Sequence, residues 1–155
     1  MDLVEFLTAR LDEDEQAARA ATDGPWAAWQ RSTLRGLGDL LHAVTTPGQA
    51  PGARASIATA SWLDAEHIAR HDPARVLAEV DAKRRILASY TEAVLVRDEA
   101  TQWAMSPSPV ITNPGADGVE RWTRARDAAF FLEPAIRLLA QPYASHPDYD
   151  EAWRP

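Results

Sequence analysis

The strongest constraint in the sequence is the pair Asp72-Pro73 and the stretch that follows it. An aspartate side chain accepts from the free N–H groups of a first helical turn, and proline at the first helical position loses nothing because its missing N–H has no helical partner there. From that start Val76, Leu77, Val80, Leu87, Tyr90, Val94 and Leu95 keep a helical stripe, while Lys83-Arg84-Arg85 and Asp98-Glu99 take polar positions. The pattern predicts a helix over 73–104, long enough at ~1.5 Å per residue to span a small domain. A chain built around such an element is mainly α.

Two further principal helices are expected. Leu3, Leu7 and Leu11 recur every fourth residue beside Val4 and Phe6, Asp2 and Glu5 form a capping box, and Asp23-Gly24-Pro25 ends the segment, which gives a helix over 2–21. A third runs over 118–140, with Val119, Trp122, Ala129, Phe130 and Leu132 as its buried face and Pro134 forcing a kink or a fresh start. Ser61 and Asp64 cap a minor helix over 64–71 that carries Glu66, His67 and His71.

The region 25–62 is less regular and reads as a loop-rich insert. Trp26 and Trp29 share a helical face at i, i+3, which predicts a short helix, and Gly36 and Gly38 interrupt its continuation. Leu40–Thr46 and Ser56–Trp62 tolerate β structure around Pro47-Gly48-Gln49-Ala50-Pro51-Gly52, so a small hairpin or an irregular loop fits 40–62. Ser106-Pro107-Ser108-Pro109 and Thr112-Asn113-Pro114-Gly115 make a Pro-rich connection over 106–117. The tail from Pro142 is too proline-broken for a helix, yet its aromatic residues suit packing. With 155 residues the whole is expected to form a single domain with a packed C-terminal tail.

Charge and composition narrow the function. Sixteen basic residues against 23 acidic ones give −7, which disfavours attraction to nucleic acid or to an anionic membrane. The absence of cysteine excludes disulfides, thiolate nucleophiles, Cys-ligated zinc and iron–sulfur clusters. No run approaches the ~20 apolar residues of a membrane span, and the start lacks the basic and apolar regions of a signal peptide, so a cytoplasmic location is expected.

Three blocks of sequence carry a resemblance: 3–15 (LVEFLTARLDEDE), 67–77 (HIARHDPARVL) and 143–149 (YASHPDY) followed by Trp153. Together they resemble a family of small actinobacterial and actinophage proteins that share a domain of unknown function. The resemblance implies that His67, His71 and His146 belong to the family pattern.

The residues themselves offer few routes to chemistry. His67 and His71 stand at i, i+4, a spacing that presents two imidazoles on one helical face and suits zinc or another divalent metal, with Asp64 and His146 as further ligands. Ile68 occupies the position where a metalloprotease helix carries its glutamate base, so that mechanism is excluded. The same histidines equally suit a supporting role, with His71 donating to the last carbonyls of its helix. There is no G-x-S-x-G, no P-loop, and Gly36-Leu37-Gly38 lacks the third glycine of a dinucleotide fingerprint. Trp122, Tyr149 and Trp153 suit either an interface or an internal clamp on the tail. Arg121, Arg124 and Arg126 suit a solvated face better than an anion patch, and the run Asp12-Glu13-Asp14-Glu15 is the sole support for a nucleic-acid mimic or antitoxin-like inhibitor. The leading expectation is therefore a non-catalytic interaction or regulatory module with a protein partner and no cofactor. A metal-binding protein or metal-dependent hydrolase using His67 and His71 is the alternative.

Overall fold

The computed structural model describes residues 1–32, 40–46, 57–59, 61–105 and 115–155. The expected Pro47–Gly52 loop and the Pro-rich stretch 106–114 lie outside the described residues. Among the described residues the chain is mainly α: α1 (Leu3–Ala20), β1 (Ala27–Ser32), β2 (Leu40–Thr45), β3 (Ile57–Thr59), α2 (Trp62–Arg70), α3 (Pro73–Met105) and α4 (Gly115–Ala140). Two short 3-10 turns, Gln141–Tyr143 and Glu151–Trp153, follow. The elements form two compact units, one of Met1–Leu11 with Ala82–Pro155 and one of Asp12–Asp81. No helix among the described residues is long and apolar enough to cross a membrane.

Local capping accounts for the helix starts. The Asp2 N–H donates to Glu5 Oε2 at 2.9 Å while the Glu5 N–H donates to Asp2 Oδ1 at 2.8 Å, so the box that begins α1 is closed in both directions. Ser61 Oγ accepts from the Asp64 N–H at 3.1 Å and starts α2. Asp72 Oδ1 accepts from the Arg75 N–H at 2.9 Å and starts α3, with Pro73 buried in its first turn. Gly24 is required here by close approach: a Cβ on it would stand 2.9 Å from Asp72 Oδ2, so any side chain would push on the capping carboxylate.

In the unit of residues 12–81, β1, β2 and β3 form an antiparallel sheet in that order, with Trp29 opposite Ala43 and Ala43 opposite Ala58. The hairpin admitted by the 40–62 sequence is present as β2 and β3. The short helix read from Trp26 and Trp29 is replaced by β1, because the backbone groups of Ala27–Ser32 take their partners from β2. Helix α2 lies across the sheet, and Ala43, Val44 and Ala65 are buried in that unit.

In the other unit, Phe6, Leu7 and Leu11 of α1, Leu87 and Ala93 of α3, and Ala129, Ile136 and Ala140 of α4 supply the buried core. Pro134 sits inside α4 without dividing it. Two residues expected on the buried face of α4 are not there: Phe130 is 72% exposed and Val119 is also exposed. The reason is helical phase. Ala129, Ile136 and Ala140 follow one another at i, i+7 and i+11, and a residue one step on is turned about 100° away from that line.

Candidate functional site

The tail closes on a single ring. Phe6, fully buried, meets Tyr143, His146 and Tyr149 edge to face at centroid distances of 6.4, 5.7 and 5.9 Å, and Trp153 at 4.9 Å. Tyr149 and Trp153 also meet each other at 5.6 Å. Polar bonds hold this cluster in place: Gln141 Nε2 donates to the Tyr149 hydroxyl at 2.7 Å, and Arg137 Nη1 donates to the Ala152 carbonyl at 2.7 Å.

Arg10, buried one turn after Phe6, donates to His146 Nε2, and its guanidinium lies 5.4 Å from the Phe6 ring centre. A guanidinium can only donate, so Nε2 is the acceptor of that bond, which leaves Nδ1 to face Asp148. That nitrogen stands 3.9 Å from the Asp148 carboxylate. The Asp148 backbone N–H points at the same nitrogen at 3.1 Å as a second donor to the ring, and a neutral imidazole, with one lone pair in the ring plane, accepts from only one of the two donors.

A different arrangement occupies the outer side of α4. Phe130 and Phe131 are 72% and 73% exposed, with their rings edge to face at 5.4 Å. With Pro134, Arg137, Arg154 and Pro155 they line an open groove of about 440 Å³, and Glu133 completes its wall. Pro134 has no N–H to donate, so α4 lacks the helical bond that would end on the Phe130 carbonyl. The two cations are anchored within the protein. Arg137 Nη2 bonds Glu133 Oε1 at 2.9 Å, and Arg154 bonds both oxygens of Glu151 at 2.8 and 3.0 Å. The Arg154 hydrogen bond holds the Glu151 carboxyl below its ordinary range and pushes the guanidinium the other way. Tyr90 also senses this side of α4: burial first, then the Glu133 charge, raises its phenol above the usual value.

The expected site residues fall in separate places. His67 and His71 come together on α2, both exposed, with ring centroids 4.5 Å apart. Asp64 is exposed in the first turn of the same helix. His146 belongs to the other unit, where Arg10 takes its Nε2. Among the described residues no group of three or more histidine, aspartate or glutamate side chains is placed to hold a metal ion. Tyr149 and Trp153 join the cluster on Phe6, while Trp122 stands apart with the Arg126 guanidinium 5.2 Å from its ring centre. Its indole Nε1 is buried with no hydrogen-bond partner among the described residues. Arg124 and Arg126 pair with Glu120 and Asp127 on the exposed surface of α4, and Glu15 of the acidic run pairs with Arg19. The groove was missed in the sequence although one signal pointed to it. Phe130, Pro134 and Leu138 recur at i, i+4 and i+8, a second apolar line beside the one through Ala129 and Ile136.

Fold and site define a mainly α protein whose described structure carries an open aromatic groove on its last long helix and a histidine pair on its shortest. The chain belongs to the family of unknown function DUF6221, which matches it over residues 1–155. Neither a curated protein nor a solved structure matches it.

Proposed function

We propose that the protein is a non-catalytic interaction module that receives an apolar segment of a partner protein in the groove of α4. The observation that carries this reading is the exposure of Phe130 and Phe131 side by side at the groove mouth. Adjacent exposed phenylalanines are costly in water, and covering both rings contributes roughly 3 kcal/mol. Arg137 and Arg154 in the lining are each paired with a carboxylate of the chain, Glu133 and Glu151, so the apolar surface rather than net charge selects the occupant.

The test is selection of a phage-displayed random peptide library on the full chain and on the double variant Phe130→Ser/Phe131→Ser. Enrichment of peptides rich in aromatic or aliphatic residues, on the parent chain alone, is the expected result. Equal enrichment on both proteins, or none on either, contradicts the reading. A parent chain that sediments as a dimer while the double variant sediments as a monomer assigns the groove to a second copy and overturns the proposed occupant.

A further inference from the structure

The histidine pair on α2 is independent of the groove and offers a different chemistry. The His71 N–H at Nδ1 donates to the His67 carbonyl at 2.8 Å, and its backbone N–H donates to the Ile68 carbonyl at 3.0 Å, so His71 caps the end of the helix. This supporting role and a ligating role are compatible. A hydrogen bond at Nδ1 fixes the proton there and leaves the lone pair on Nε2, the tautomer that a metal-bound imidazole adopts when its other nitrogen is held by a carbonyl. His67 presents a second imidazole 4.5 Å away between ring centres, and both rings are exposed. Arg70, the cation of the same turn, reaches Glu66 at 4.0 Å, which offsets its charge near the pair.

We propose that His67 and His71 form an exposed bidentate site for a divalent transition metal ion, copper(II) binding most tightly, with water in the remaining positions. Imidazole nitrogens suit copper, nickel and zinc, and copper(II) heads the affinity order for a given nitrogen site. Two protein ligands do not make a structural zinc centre, which is closed by four. Ile68 stands where a metalloprotease helix carries its glutamate base, so that arrangement of base and metal is not present here. The site therefore binds and releases an ion.

The experiment is titration of the full chain with copper(II) ions, followed by calorimetry and electron paramagnetic resonance. One equivalent bound with nitrogen hyperfine structure is expected. His67→Gln should weaken binding on the order of 100-fold by turning a chelate into a single contact. His71→Gln should do the same, and circular dichroism checks that α2 survives the loss of its cap. His146→Gln should leave the affinity unchanged. Failure of the parent chain to bind one equivalent overturns the site, as does His67→Gln binding with parental affinity or loss of binding in His146→Gln.

Discussion

Two groups of aromatic rings in the same unit meet opposite fates. Around Phe6, four rings from the tail gather on one buried side chain, whereas Phe130 and Phe131 stand together in the open. Hydrophobicity does not separate the two groups. What separates them is geometry: the tail folds back through two 3-10 turns and delivers its rings to α1, while α4 has already spent its inward line on Ala129, Ile136 and Ala140. Rings that serve the core are held by bonds such as Arg10 to His146 and Gln141 to Tyr149. Among the described residues, those of the groove lie against each other and beside Glu133, Pro134, Arg137, Arg154 and Pro155.

The largest contrast should come from Phe6→Ala. Emptying the centre of the tail cluster is expected to cost about 3–5 kcal/mol in chemical denaturation. A loss below about 1 kcal/mol would mean that the tail holds by its polar bonds alone. Trp153→Ala removes one half-buried ring from the same cluster and should cost roughly 1.5–3 kcal/mol, with the near-ultraviolet signal of the tail changing in parallel. Phe130→Ser/Phe131→Ser should instead leave stability within about 0.5 kcal/mol, since these rings contribute nothing to the core. A loss as large as that of Phe6→Ala would erase the distinction.

The smallest effect concerns pH. Burial and Glu133 raise the Tyr90 phenol, so the folded chain keeps its proton longer than the unfolded one. The associated stability is complete below the ordinary tyrosine value of about 10 and is lost as pH rises through the folded value. Melting points measured across that alkaline range should fall more steeply for the parent than for Tyr90→Phe.

Much of the architecture was legible because its determinants are local. Asp2 with Glu5, Ser61 with Asp64, and Asp72 with Pro73 each place a start signal within one turn of its target, and each is bonded as the spacing requires. The strand β1 was not legible, because Trp26 and Trp29 fit a helical face and the partner that makes Ala27–Ser32 a strand lies beyond residue 39. The groove was hidden for another reason. Reading Phe130 as core is natural from composition, and only the phase set by Ala129, Ile136 and Ala140 turns it outward. For the histidines the spacing revealed the pair. It did not reveal that His71 also caps its helix, or that Arg10 engages His146.

The chain has three phenylalanines, so fluorine labelling of all of them addresses the central contrast in one spectrum. Fluorine NMR of the fluorophenylalanine protein, recorded dilute with and without a soluble paramagnetic agent, reports the solvent exposure of each ring. Two resonances, those lost in Phe130→Ser and Phe131→Ser, are expected to broaden strongly, and one, from Phe6, to stay sharp. Three protected resonances, or a Phe6 signal broadened as much as the other two, would contradict that contrast.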